Sequence, residues 1–323
     1  MGKIVVLLPL NEPQKDKFRQ FEKDHSLTFM DWTPQPPLET VKDAEIIVGN
    51  IPGGMLKECG HLRFYQLFSA GANDYVKDGI LPEGVVMACA TGCYGLAISE
   101  HMLACILAMQ KNLYKYYDNQ LAREWKRGGH AASVYGARAL IIGAGDIGGE
   151  FAKRLKLLGA YTVGVRRTPG KKPEYFDEMY TNDALDSLIP QSDIISLSLP
   201  STPATVRILD RRRLELVKKG AYLVNVGRGD AIDTDALCDC AGKFGGISLD
   251  VTDPEPLPPE HPLWKLENVY ITPHISGGFS LPATLDKIVD LAARNISAFL
   301  KGESITSLVD PETGYRKNVN TAV

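Results

Sequence analysis

The sequence predicts an α/β protein made of two Rossmann-like domains, each built around a parallel sheet. Short apolar runs alternate with helical stretches along the chain, a glycine-rich turn GAGDIG directly follows one of those runs, and 323 residues suit about two domains. No short-period repeat or low-complexity segment interrupts the pattern.

In the first third, strands are expected at 3–10, 44–49, 64–68 and 85–89, with Gly and Pro punctuation between them. They would form the smaller, flavodoxin-like sheet. From Ile98 to about Gln120 apolar residues recur at helical spacing (Leu103, Ile106, Leu107, Leu113) without internal Gly or Pro, which predicts one long helix crossing into a second domain. That domain carries six further apolar runs, at 139–142, 161–165, 193–199, 221–226, 246–250 and 269–272, with helical spacers between them. Such alternation is the pattern of a doubly wound parallel sheet. A last helical stretch from Leu281 to about Leu300 is expected to return to the first domain, dividing the chain into 1–98 with 289–323 and 99–288.

Composition narrows the partners. Hydrophobic residues make up 44% of the chain, enough for two cores, and a net charge of −3 leaves no broad basic surface for nucleic acid or an anionic membrane. A small molecule is the expected ligand. The longest apolar stretches, such as Met102 to Met109, fall well short of the ~20 residues of a membrane span. The opening MGKIVVLLPLNEP lacks a cleavage signature and is expected to be a first strand of a cytoplasmic protein. Cys59, Cys89, Cys93, Cys105, Cys238 and Cys240 show no paired CxxC spacing, so buried thiols are expected and no metal.

In GAGDIG, Gly143 permits a tight turn after the strand, Gly145 lets a pyrophosphate approach the backbone, and Gly148 lets helix and strand pack closely. Asp146 and Ile147 complete a loop whose N–H groups and helix dipole suit phosphate. Phe151, Leu155 and Leu158 give the next helix its apolar face. Where an NAD-binding domain usually places an acid, about 20 residues further on, this chain has Arg166, followed by Arg167, Lys171 and Lys172. Guanidinium groups suit a 2′-phosphate, so NADP(H) is expected over NAD(H).

Three later residues form a working set for moving a hydride and a proton. Arg228 lies between Gly227 and Gly229 at the end of the LVNV strand, where those glycines would let a ligand approach the backbone and the guanidinium could clamp a carboxylate. His274 follows the VYIT strand and can exchange a proton with a carbonyl oxygen. The other histidines are less well placed: His25 and His61 in polar surroundings, His101 in the long helix, His130 in a Gly-rich turn, and His261 before Pro262. Glu255, between Pro254 and Pro256, could orient the imidazole and stabilise its charged form. Alone, Glu255 reads as a surface acid and Asp250 as a cap or turn residue.

Taken together these segments resemble the D-isomer-specific 2-hydroxyacid dehydrogenase family, over nearly the whole chain. SEHMLACILA looks like its connecting helix, GAGDIG its cofactor loop, SLSLPSTPAT the segment near adenosine and pyrophosphate, and NVGRGD, DVTDPEPLP and TPHISGG its arginine, glutamate and histidine motifs. The resemblance implies that Arg228, Glu255 and His274 are catalytic. It places Pro200, Thr205, Val226, Gly227, Asp250 and Gly277 at the cofactor, with Asp250 near the nicotinamide, and makes Ala70, Gly71 and Ala72 backbone donors to the substrate carboxylate. It further implies a homodimer and a 2-oxo or 2-hydroxy acid substrate. Arg166 departs from the family's usual acid and is similar to the glyoxylate and hydroxypyruvate reductase branches. Two other readings stay open: a corepressor-like scaffold that binds the dinucleotide as a sensor, and phosphite oxidation. Formate oxidation is disfavoured, because those relatives carry glutamine where this chain has Glu255.

Overall fold

The computed structural model describes residues 1–77, 79–278, 281–312 and 314–317. The chain divides into two compact units, one of Met1–Tyr94 with Gly278–Val323 and one of Gly95–Gly277.

The first unit opens with β1 (Gly2–Leu7), α1 (Glu12–Arg19), β2 (His25–Met30), α2 (Leu38–Val41), β3 (Ile46–Val48), α3 (Gly53–Leu56), β4 (Phe64–Gln66) and β5 (Val86–Ala88). All pairings in its five-stranded sheet are parallel, in the order β2-β1-β3-β4-β5. Ile4, Val5, Val6 and Leu7 are fully buried, as continuous apolar runs covered on both faces should be. Asn11 starts α1 with a capping box: its Oδ1 accepts from Gln14 N at 2.9 Å, and Gln14 Oε1 accepts from Asn11 N at 3.0 Å. Strand β2 is an addition to the four expected. Its sequence HSLTFM mixes polar and apolar residues because it lies at the sheet edge, and His25 at its start is buried (8% exposed) rather than in polar surroundings.

The second unit contains α4 (Gly95–Gln110), α5 (Leu113–Leu121), β6 (Arg138–Ile142), α6 (Asp146–Leu157), β7 (Tyr161–Val165), β8 (Glu178–Tyr180), α7 (Leu185–Leu188), β9 (Ile194–Leu197), α8 (Arg211–Leu216), β10 (Tyr222–Asn225), α9 (Thr234–Cys240), β11 (Gly246–Leu249) and β12 (Val269–Ile271). Its parallel sheet has seven strands, ordered β12-β11-β10-β9-β6-β7-β8, the unexpected one being the short edge strand β8. The single long helix expected from Ile98 to Gln120 is two helices. Asn112 adopts φ +55, a left-handed conformation that asparagine tolerates, and so ends α4 before α5 begins. In α6, Phe151, Ala152 and Leu155 are buried, but Leu158 is the C-cap and 41% exposed, so it does not extend the apolar face.

The chain then completes the first unit with α10 (Pro282–Lys301), β13 (Val309–Asp310) and β14 (Tyr315–Arg316). Helix α10 is one uninterrupted element with Pro282 in its first turn and Gly302 at its C-cap with φ +69. A division at 288/289 would cut through it, and the units separate instead at Gly277.

Candidate active site

The register of the seven-stranded sheet collects the site. Val165, Ile142, Leu197, Asn225, Leu249 and Ile271 occupy one rung across β7, β6, β9, β10, β11 and β12. The next residues in the chain are Arg166, Gly143, Ser198, Val226, Asp250 and Thr272, so the expected cofactor and catalytic segments all leave one carboxyl-terminal edge. At ~4.8 Å per strand that row spans about 24 Å. Strand order reverses between β6 and β9, and ligands of open α/β sheets bind at such a switch point. GAGDIG follows β6 there.

Three glycines in this loop have separate reasons to be glycine. Gly143 has φ +102, and a Cβ on it would lie 2.7 Å from Ser198 O; on Gly148 a Cβ would lie 2.2 Å from Gly143 O. Both are needed for backbone packing. A Cβ on Gly145 would meet nothing within 4 Å, and no side chain caps the N-terminus of α6. An open approach to uncapped N–H groups fits a pyrophosphate. Ile147 is half-buried in the first turn. Asp146 turns away from this role: Gly95 N donates to its Oδ2 at 2.8 Å, tying the start of α6 to the start of α4.

Past β7, the Nε of Arg166 is buried with no hydrogen-bond partner among the described residues, while Nη2 reaches only Lys171 O at 3.3 Å. The guanidinium lies close over Gly170, whose Cβ would come within 2.9 Å of Nη2. Arg167 and Lys171 are exposed, and Lys172 Nζ donates to Phe176 O at 2.6 Å. An unsatisfied guanidinium N–H beside two exposed cations suits an added phosphate group. Pro200 is half-buried in the loop after β9. There Thr205, 8% exposed, donates to Pro200 O at 2.6 Å and accepts from Thr202 N at 2.9 Å, so its hydroxyl holds the loop together.

Beyond β10, the buried Asn225 shapes the turn that presents Arg228. Its Oδ1 accepts from Gly227 N at 3.0 Å and its Nδ2 donates to Arg228 O at 2.9 Å. Arg228 is half-buried and its Nη1 donates to Gly227 O at 2.7 Å. The flanking glycines are not there to admit a ligand. A Cβ on Gly227 would lie 2.5 Å from Leu199 N, and one on Gly229 2.0 Å from the Thr252 carbonyl, so each allows two backbone segments to meet. Val226 is buried with its N–H on Leu197 O at 3.1 Å.

Asp250 is 2% exposed and closes the turn after β12. Its Oδ1 accepts from Thr272 Oγ1 (2.6 Å) and Ile275 N (2.9 Å), its Oδ2 from Ser276 N (3.0 Å), and its carbonyl oxygen accepts from His274 N (2.8 Å). Burial alone would push the Asp250 carboxyl up, but Ser276, Thr272 and the two backbone amides outweigh it and hold it below the usual aspartate range. Held this way, His274 takes φ +53, a conformation uncommon for a side chain of its size. Its Nδ1 lies 2.7 Å from Glu255 Oε1, with the two side chains 47% and 43% exposed. Because a carboxylate only accepts, Nδ1 carries the hydrogen of this bond and Nε2 is left for proton exchange. Glu255 Oε2 also accepts a long bond from Thr252 N at 3.4 Å. Gly277 ends the unit, half-buried after Ser276.

In the first unit the LFSAGA turn follows β4. Ala70, Gly71 and their N–H groups have no backbone acceptor among the described residues, but Ala72 is 1% exposed and its N–H donates to Gly314 O at 3.0 Å. Ala72 is therefore corrected from a substrate donor to a structural one. Sequence reasoning passed over Asn225, Thr272 and Ser276, which hold the turns; a polar residue inside or just after an apolar strand was the available signal.

Residues 103–276 match the family profile described as D-isomer specific 2-hydroxyacid dehydrogenase, NAD binding domain. An uncharacterised protein of Corynebacterium melassecola is 34% identical over 286 residues, covering 86% of this chain and 92% of its own length. A glyoxylate reductase of Thermococcus gammatolerans is 31% identical over 290 residues, covering 85% of each. Among solved structures, a D-isomer specific 2-hydroxyacid dehydrogenase family protein from Aeromonas salmonicida superposes with a TM-score of 0.82 at 28% identity, over 96% of this chain and 99% of that one.

Proposed function

The chain belongs to the D-isomer-specific 2-hydroxyacid dehydrogenase family, and from that premise we propose that it is an NAD(P)-dependent oxidoreductase that interconverts a small 2-oxo acid and its D-2-hydroxy acid. The observation that carries this reading is the His274–Glu255 pair at 2.7 Å, on the same sheet edge as Arg228 and the glycine loop. Gly143, Gly145, Ile147 and Gly148 would hold the dinucleotide by backbone, with Pro200, Val226 and Gly277 beside it. Bound there, it supplies a hydride to the carbonyl carbon or takes it back. His274 gives the carbonyl oxygen a proton from Nε2 during reduction and recovers it during oxidation. Glu255 keeps the ring oriented by accepting from Nδ1 and compensates the imidazolium charge. Arg228 offers a fixed cation to the acid's carboxylate and to the oxygen where negative charge develops. Ala70 and Gly71 supply N–H groups for the carboxylate.

The coenzyme we propose is NADP(H), on the unpartnered Arg166 Nε and its basic neighbours, and glyoxylate and hydroxypyruvate stand among the candidate acids. A panel of 2-oxo acids assayed with NADPH and NADH in parallel tests acid and coenzyme together. Absence of turnover with every acid refutes the activity, and an NADH preference above about tenfold refutes the role of Arg166. We also propose a homodimer. Helix α5 has no buried residue although Leu113, Tyr116, Tyr117 and Leu121 are all at least 40% exposed, and Trp125 just after it is fully exposed, an apolar surface that a second copy would cover. Light scattering at the size of a monomer contradicts this.

A further inference from the structure

The carboxyl-terminal edge of the first unit's sheet carries an aromatic pair that the chemistry above does not use. Trp32, just past β2, and Phe68, just past β4, meet edge to face with ring centroids 5.7 Å apart at 88°. Trp32 is 39% exposed and Phe68 half-buried. A single line of hydrogen bonds fixes this pair to the LFSAGA turn. Trp32 Nε1 donates to Asn50 O at 3.1 Å; Asn50 Oδ1 accepts from Phe68 N at 3.0 Å and from Ser69 N at 3.4 Å; Asn50 Nδ2 donates to Ser69 Oγ at 2.9 Å; and Ser69 Oγ donates to Gly71 O at 2.7 Å. Indole, phenyl ring and the free N–H groups of Ala70 and Gly71 are thus held by one network.

The chemistry of that wall selects a substrate. An acid whose carboxylate lies on the Ala70 and Gly71 N–H groups has its side chain next to this edge. The indole N–H is already spent on Asn50 O, so the pair presents ring surface and no spare donor. A hydroxymethyl group would lose its water there and find no partner, whereas a branched alkyl or aryl group gains burial and ring contact. A bare hydrogen, as in glyoxylate, gains nothing.

We propose that Trp32 and Phe68 receive the side chain of the 2-oxo acid, and that the chain prefers acids with branched alkyl or aryl side chains over glyoxylate and hydroxypyruvate. This rests on the reading above that it reduces 2-oxo acids with their carboxylate on Ala70 and Gly71. Differences of roughly 10- to 200-fold accompany each well-packed methylene in such pockets, so the effect is large enough to measure.

The test is kcat/KM for glyoxylate, hydroxypyruvate, 2-oxo-4-methylpentanoate and phenylpyruvate, each with NADPH and NADH, for the wild type, Trp32→Ala and Trp32→Phe. The two apolar acids should exceed glyoxylate by about tenfold or more in the wild type. That ratio should fall by at least about tenfold in Trp32→Ala, mainly through KM, and survive in Trp32→Phe, which keeps a ring but lacks the N–H. Because Trp32 is partly exposed, the alanine variant is expected to fold, and a wild-type circular dichroism spectrum checks this. A wild-type preference for glyoxylate or hydroxypyruvate, or a ratio unmoved in Trp32→Ala, overturns the aromatic wall while leaving the reductase reading intact. A wild type that reduces none of the four acids with either coenzyme overturns both.

Discussion

Replacing Asp250 by Asn tests whether this carboxylate holds the turn that carries His274. The two backbone amides it accepts from, Ile275 N and Ser276 N, fall on different carboxylate oxygens. Whichever way an asparagine amide is turned, one of those N–H groups faces an NH2 and is left unpaired in a site where Asp250 is 2% exposed. Losing a buried hydrogen bond to a charged acceptor costs about 2–3 kcal/mol. At about 1.4 kcal/mol per tenfold, opening of the 272–276 turn becomes roughly 30- to 150-fold more frequent. Hydrogen exchange read on a peptide spanning Thr272 to Ser276 should accelerate by that factor, while exchange in β6 and β9 stays at its wild-type rate. Loosening the ring that faces Glu255 should also lower kcat about 10- to 100-fold, the cost of misplacing a reacting group by about an ångström. Unchanged exchange would refute the latch. Faster exchange with an unchanged kcat would refute the link between the latch and the chemistry.

The remaining predictions concern neighbouring parts of the same edge. His274→Ala should lower kcat by about 10²- to 10⁴-fold, the usual worth of a positioned general acid, and Glu255→Gln should lower it less, with steady-state kinetics as the readout. Arg166→Ala should raise KM for NADPH roughly 10- to 150-fold, from the loss of one charge-assisted contact of about 1.5–3 kcal/mol, with little change for NADH. Gly145→Ala should leave the thermal midpoint near wild type and weaken the coenzyme, because its Cβ points into open space, whereas Gly148→Ala should unfold several degrees earlier, because its Cβ would lie 2.2 Å from Gly143 O. Acid should act through Asp250 as well. Its folded carboxyl sits below the usual range, so its contribution is complete above the unfolded value of about 3.9 and is lost as pH falls through the folded one. Asp250→Asn should therefore flatten the acid limb of a urea-midpoint titration below about pH 5, leaving the slope owed to Asp177, which is also held low.

What the sequence disclosed, and what it hid, follows from how far each signal reaches along the chain. Six central strands of the second unit are near-continuous apolar runs because both their faces are covered, and a run of that kind is visible without knowing its neighbours. The edge strands β2 and β8 escaped notice because HSLTFM and EMY are half-exposed, and only pairing makes them strands. Asn112 broke the long helix through its own backbone conformation, which apolar spacing at Leu103, Ile106, Leu107 and Leu113 does not register. The trio itself was legible as three polar residues just beyond strand ends. Their meeting was not, since it depends on Asn225, Leu249 and Ile271 sharing a rung. The same limit explains the glycines around Arg228. A glycine next to an arginine reads as space for a ligand, yet the atoms that need the space belong to Leu199 and Thr252, 28 and 23 residues distant in sequence. Asp250 shows the limit most sharply. As a lone acid after a strand it looks like a cap, and its value lies in three partners 22 to 26 residues onward. They turn one buried carboxylate into the support on which the catalytic imidazole is presented.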